Sequence, residues 1–148
     1  MKKVLVVYYS LSGNTQKMAE FIAEGVRFTG NQAYVRKISD IQKAEELEGF
    51  DGYIFGSPTY YRDIAEPMKT FMFLARKADL AGKLAGAFGS YTHDGDAPSI
   101  LYDTMQYVFK MEPFELGPFR LKEALIDTPE GMRACQDYGR VFTEKLGS

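Results

Sequence analysis

Six consecutive residues, Ser10-Leu11-Ser12-Gly13-Asn14-Thr15, bring together three side-chain hydroxyls, one amide and one glycine. They follow the apolar run Val4 to Tyr9 and lead directly into a helical pattern, so they occupy a turn between a strand and a helix N-terminus. Backbone N–H and hydroxyl donors at such a place can surround a phosphate, and the helix dipole adds attraction. No lysine or arginine lies among them, and the chain contains neither Gly-x-x-x-x-Gly-Lys-Ser/Thr nor Gly-x-Gly-x-x-Gly. A neutral cradle of this kind suits one terminal phosphate without a metal. An ordinary N-cap turn is the competing reading, because Ser, Asn and Thr are favoured there for their own hydrogen bonds.

Two further stretches carry chemistry. Gly56-Ser57-Pro58-Thr59-Tyr60-Tyr61-Arg62-Asp63 places two large aromatics beside a proline-stiffened turn just after a second apolar run. Tyrosines at a loop tip forgo burial unless something covers them, and a flat aromatic ligand would cover one. Packing on the next helix or at a dimer contact would serve equally. Ser90-Tyr91-Thr92-His93-Asp94-Gly95-Asp96 holds the only histidine, on a loop rather than in an apolar stripe.

The first stretch resembles the phosphate loop of the flavodoxin family, Ser/Thr-x-Ser/Thr-Gly-x-Thr. Gly56-Ser57-Pro58-Thr59 and Asp63-Ile64 resemble the second flavin loop of flavo-diiron domains, and the first four also resemble quinone reductases of the tryptophan-repressor-binding type. Phe88-Gly89-Ser90-Tyr91 and Thr92-His93-x-Gly95 are similar to the third loop of the same two groups. The resemblance implies FMN, with Ser10, Leu11, Ser12, Gly13, Asn14 and Thr15 on its phosphate. It places Pro58, Thr59, Tyr60, Tyr61, Arg62 and Asp63 along one face and edge of the ring, and Ser90, Tyr91, Thr92, His93, Gly95 and Asp96 along the other. His93 is the candidate catalytic group, able to hydrogen-bond or protonate a quinone oxygen. No metal site is expected.

Two functions follow from that resemblance. One is an electron carrier serving a reductase and an acceptor protein; the other is a small NAD(P)H-dependent quinone or flavin reductase in which His93 and Arg62 border the substrate. A solvated surface arginine is the preferred reading of Arg62 over a partner for a nucleotide phosphate. The resemblance favours the carrier, since the quinone reductases are longer. A non-catalytic module sensing redox state is a third class, with no residue that specifically supports it. Many flavodoxins have a glycine in the second loop where a peptide turns over on reduction. Here none lies between Gly56 and Ala65, and Asp63 is the residue expected to tolerate a left-handed backbone.

The elements that must position these loops alternate strand and helix. Val4–Tyr9, Ala33–Ile38, Phe50–Phe55 and Leu84–Gly89 read as strands, the first continuously apolar as in a parallel sheet covered on both faces. Met18, Phe21, Ile22, Gly25 and Val26 mark the first helix, which Gly30-Asn31 ends. Ser39–Glu48 is a charged connector holding at most one short helix, and Asp63-Ile64-Ala65-Glu66 has capping-box spacing before a helix burying Met68, Phe71, Met72 and Ala75. Ile100, Leu101, Met105 and Val108 stripe the next helix. Pro113 and Pro118 interrupt a fifth strand, and Thr128-Pro129-Glu130 opens the last helix, where Cys135 is a core residue. The pattern predicts an α/β flavodoxin-like three-layer doubly wound sandwich with a five-stranded parallel sheet in order 2-1-3-4-5. All three loops then lie on the rim where such sheets bind ligands.

A chain of 148 residues, 45% apolar, suits one domain over 1–148. Its net charge of −2 provides no basic face for nucleic acid, and no run approaches a membrane span, so a cytoplasmic monomer or homodimer is expected. Tyr107 and Phe109 suit a dimer contact, and core packing explains them as well. A lone Cys135, far from the first loop, excludes a low-molecular-weight phosphatase, and the absence of aspartates ending the first and third strands excludes a response regulator. Asp63, Glu66, Asp94, Asp96 and Asp103 near the rim are few beside the strongly acidic flavodoxin carriers, so weak electrostatic steering is expected.

Overall fold

Strand β1 (Lys3–Tyr8) lies between β2 (Gln32–Lys37) and β3 (Gly52–Gly56), all parallel, in a computed structural model that describes residues 1–147. The second flavin-like loop forms two short strands, β4 (Thr59–Tyr60) and β5 (Asp63–Ile64), and β6 (Leu84–Tyr91) then pairs β3. The expected fifth strand is split: β7 (Glu112–Pro113) pairs the start of β6 and β8 (Phe119–Lys122) pairs its end. The strand order is β2-β1-β3-β6-β7, with β8 also on β6, which is the expected 2-1-3-4-5 sheet with its edge strand in two pieces.

Alternation along β1 divides the molecule into three layers. Val4, Val6 and Tyr8 enter a core with α1 (Asn14–Phe28) and α5 (Pro129–Leu146). Leu5 and Val7 enter a second core with α2 (Glu66–Ala75) and α3 (Asp96–Tyr107). A last short helix, α4 (Glu123–Ile126), precedes α5, which Thr128 caps by accepting the Gly131 N–H at 3.1 Å. Helices α1 and α5 meet at two glycines. A Cβ on Gly25 would lie 1.8 Å from the Gln136 carbonyl oxygen, and one on Gly139 would lie 2.0 Å from that of Ile22.

The break between β7 and β8 leaves the middle of β6 without a ladder partner on that side. Tyr138, from α5, fills the gap. Its hydroxyl accepts the Ala87 N–H at 3.2 Å and stands 3.2 and 3.1 Å from the Ala87 and Gly117 carbonyl oxygens. The β6 backbone facing this break is thus satisfied at Ala87 by a side chain 51 residues away.

Four local expectations need correction. The connector after β2 is two 3-10 turns, Ile38–Asp40 and Ala44–Leu47, rather than one helix. No capping box forms at α2: the N-cap is Ala65, and the Asp63 carboxylate instead accepts the Ile64 N–H at 2.8 Å and pairs with Lys69. Strand β6 continues through Ser90 and Tyr91, shortening the third loop. At the end of α3 Val108, expected in the apolar stripe, is exposed; of the two aromatics there, Phe109 packs in the core and Tyr107 is exposed.

Cys135 is fully buried, and that burial pushes its thiol from an ordinary 9.0 up to about 12. The folded state therefore favours the protonated thiol. Its contribution is complete below pH 9 and is lost as the pH rises through about 12. Burial raises the Tyr138 phenol in the same sense. Equilibrium urea unfolding at stepped pH is expected to show stability falling between pH 9 and 12, with a shallower fall in Cys135→Ala. Native protein at pH 8 should leave a thiol reagent unreacted.

Candidate functional site

The first loop ends in a helix with an open N-terminus. Gly13 is the N-cap of α1 with φ +94°, no side chain caps the helix, and a Cβ there would meet nothing within 4 Å. The first-turn N–H groups therefore keep their donor capacity along the helix axis. The Ser10 hydroxyl accepts the Gly13 N–H at 3.0 Å and the Asn14 amide donates to Ser12 Oγ at 3.3 Å, which brace the loop from within. Leu11 points outward, 74% exposed. Thr15 is buried, and its Oγ1 lies 3.1 Å from Ser90 Oγ, also buried, which ties the first loop to the end of β6.

The second loop is a hairpin, not an irregular turn. Thr59 pairs with Ile64 and Tyr60 with Asp63, leaving Tyr61 and Arg62 as a two-residue tip. Their φ angles are +50° and +64°, so the left-handed residues are these two and not Asp63. Positive φ at both tip positions is the type I′ form of a two-residue hairpin turn, a geometry that Asn-Gly meets without strain. Tyr61→Asn combined with Arg62→Gly is expected to raise stability by about 1 kcal/mol, because each non-glycine residue pays for its left-handed conformation. Thermal and urea unfolding will measure it.

Several bonds hold the hairpin in place. Thr59 Oγ1 accepts the Ala97 N–H at 3.0 Å, so the second loop caps helix α3 in trans. Arg62 Nε donates to Asp96 Oδ2 at 3.1 Å, and that hydrogen bond raises the guanidinium pKa. The Ser57 hydroxyl accepts the Ala65 N–H at 3.2 Å. Pro58 is buried, Thr59 and Asp63 are half-buried, Tyr60 is at the edge of exposure and Tyr61 is fully exposed. Burial, with smaller contributions from Tyr9 and Glu123, raises the Tyr60 phenol. Lys69 holds the Asp63 carboxyl below its usual range.

The third loop proper is Thr92–Gly95. Thr92 and His93 are exposed, and His93 makes no hydrogen bond among the described residues. Tyr91, Gly95 and Asp96 are half-buried. Asp94 Oδ1 is buried without a hydrogen-bond partner. Arg120 on β8 braces this loop, donating through Nε to the Gly95 carbonyl at 2.9 Å and also to Ser99 Oγ. Arg120 was not a sequence candidate, and nothing in its irregular neighbourhood marks it. The expected rim acids are partly neutralised, Asp63 by Lys69 and Asp96 by Arg62. The structure therefore brings the three loops together on one rim through direct bonds between the first and third and between the second and third.

The family model described as Flavodoxin matches residues 6–114. A flavodoxin of Clostridium saccharobutylicum is 35% identical over 88 residues, which are 60% of this chain and 55% of that protein. A protein named NAD(P)H dehydrogenase (quinone) from Gluconacetobacter diazotrophicus is 33% identical over 187 aligned positions, covering 99% of this chain and 94% of its own. Among solved structures, a flavodoxin from the domain Archaea superposes with a TM-score of 0.87 at 30% identity, covering 99% of both chains. The Flv1 flavodiiron core from Synechocystis sp. PCC6803 gives a TM-score of 0.84 at 26% identity, covering 98% of this chain and 36% of that one.

Proposed function

Because this chain belongs to the flavodoxin family, we propose that it is an electron carrier that holds FMN on the rim formed by its three loops. The observation that carries this reading is the mutual bonding of the loops, Thr15 to Ser90 and Thr59 and Arg62 to the start of α3. Such bonds hold a phosphate cradle and two aromatic walls in one fixed relation before any ligand arrives.

The residues present suit that cofactor. An uncapped helix turn behind an open Gly13, with Ser12, Asn14 and Thr15 beside it, offers neutral donors to a phosphate. Tyr60, Tyr61 and Tyr91 offer aromatic faces, and the orphaned Asp94 Oδ1 offers an acceptor to a ring N–H. When bound, the flavin supplies the redox chemistry. The protein orients it: Thr59 and Arg62 keep the hairpin against α3, and Arg120 keeps the third loop from opening. Rim charges that are few and partly paired, Asp63 with Lys69 and Asp96 with Arg62, leave little long-range steering, so redox partners would be recognised mainly at contact.

Direct NAD(P)H:quinone reduction is the second reading, favoured by the quinone dehydrogenase relative that aligns along almost the whole chain. In it, exposed His93 would meet a quinone oxygen, while Arg62 would have to leave Asp96 to meet a nucleotide phosphate. The deciding experiment is anaerobic titration of FMN-reconstituted protein with NADPH, NADH and finally dithionite, followed by visible absorbance. Bleaching by dithionite alone is the result expected of a carrier. Rapid bleaching by a nicotinamide would favour the reductase, with His93→Ala and Arg62→Ala as the next variants. Failure to retain flavin would overturn both readings.

A further inference from the structure

Arg120 stands inside β8, the edge piece beside the end of β6, where Gly89 lies opposite Arg120 and Tyr91 opposite Lys122. Its side chain reaches the far end of the third loop. Nε donates to the Gly95 carbonyl at 2.9 Å and Nη2 donates to Ser99 Oγ, so one planar guanidinium spans the N-cap of α3 and the fourth residue of that helix. The stem fits as closely as the head. A Cβ on Gly95 would lie 2.9 Å from Arg120 Cδ and 3.1 Å from Tyr91 Cδ1, so the arginine and the tyrosine ring both close on the bare backbone of Gly95. Tyr91 is one of the aromatic groups offered to the proposed ring site, and Arg120 fixes the backbone beside it.

Charge makes this placement unusual. A helix N-terminus carries a partial positive charge and favours anions, whereas arginine is stabilising at the opposite end. Two arginines nevertheless converge on the first turn of α3. Arg62 is paired there with Asp96, but Arg120 makes no ion pair among the described residues and is exposed. Its hydrogen bonds go to a neutral carbonyl and a neutral hydroxyl, which hold the guanidinium in place without cancelling its charge. A fixed, uncompensated cation beside a ligand loop suits a negative charge that arrives with the ligand.

We propose that Arg120 is a positioning residue of the flavin site whose charge shifts the balance of binding toward the reduced, anionic flavin. This rests on the flavin reading above and adds to it the residue that biases the redox state. Glu66, Asp94 and Asp103, rim acids without ion-pair partners among the described residues, act in the opposite sense, and solvent screens the exposed guanidinium, so the bias is moderate.

The test measures FMN affinity, by fluorescence quenching, and the midpoint potential of bound FMN, at low ionic strength, in the unaltered protein, Arg120→Lys and Arg120→Gln. Lysine keeps the charge and loses the planar fork; glutamine loses the charge and keeps a donor. The position is exposed on an edge strand, and the urea midpoint of the flavin-free protein checks that each variant folds. Both variants should bind oxidised FMN about threefold to tenfold more weakly. In Arg120→Gln the ratio of reduced to oxidised affinity should also fall about tenfold, which lowers the two-electron midpoint by about 30 mV, while Arg120→Lys stays within about twofold of the unaltered ratio. An unchanged ratio in Arg120→Gln, or an equal shift in both variants, would overturn the proposal and leave the carrier reading standing. FMN held by the unaltered protein and by neither folded variant would overturn it too, since the loop's position would then be the whole effect. No FMN held by the unaltered protein would overturn this proposal and the carrier reading together.

Discussion

Gly139→Ala is expected to lower the unfolding free energy by about 3 kcal/mol, the upper part of the range for overpacked cores. Helix propensity alone gives the opposite sign, since alanine is favoured over glycine by about 1 kcal/mol in a helix interior. The structure reverses that preference. A Cβ at Gly139 would stand 2.0 Å from the Ile22 carbonyl oxygen, which is backbone and has no rotamer by which to retreat. Helices α1 and α5 would have to separate, loosening the core made by Met18, Ile22, Val26 and Phe142. Urea unfolding at pH 7 measures the effect. A midpoint equal to or above that of the parent would mean that the helices are not in this close contact. The same separation would displace the N-terminus of α1, so FMN affinity should fall along with stability.

Thr15→Val is expected to weaken FMN binding between about tenfold and a hundredfold, the equivalent of one lost hydrogen bond to a charged group. Valine keeps the shape of threonine and removes only its hydroxyl. That hydroxyl has two tasks in the proposed site: it offers a donor at the first turn of α1, and it satisfies the buried Ser90 hydroxyl at 3.1 Å. Losing the second task leaves Ser90 buried without its partner, at a cost of about 1–3 kcal/mol in stability. The two tasks separate in the double variant. Adding Ser90→Ala removes the orphaned group and should restore much of the stability, while FMN affinity stays low. Fluorescence titration and urea unfolding on the same three proteins give both quantities. Recovery of affinity in the double variant would show that the loss in Thr15→Val came from the orphaned Ser90 hydroxyl and not from a donor to FMN.

Much of this protein was legible in its residues, and for local reasons. Val4 to Tyr8 form a strand because an unbroken apolar run can satisfy two covered faces, and Thr128-Pro129 starts α5 because a hydroxyl and a fixed φ suit a helix N-terminus. Ser10 to Thr15 mark a donor-rich turn through their own side chains and the one glycine that can take φ +94°. Right-handed crossovers then put the three loops on one rim without any further information.

What the tertiary structure alone decided lies where residues distant in sequence set the local conformation. Tyr61 and Arg62 are left-handed, against the preference of both, because pairing of Thr59 with Ile64 and anchoring by Ala97 and Asp96 leave the tip no other geometry. Asp63, expected to cap α2 and to take the unusual φ, does neither once it joins β5 and meets Lys69. Ser90 turns inward to Thr15 across 75 residues, and Arg120 reaches the third loop only because β8 lies beside β6. Short-range propensity chooses an element from its own few residues, whereas these features are chosen by contacts whose partners no local window contains.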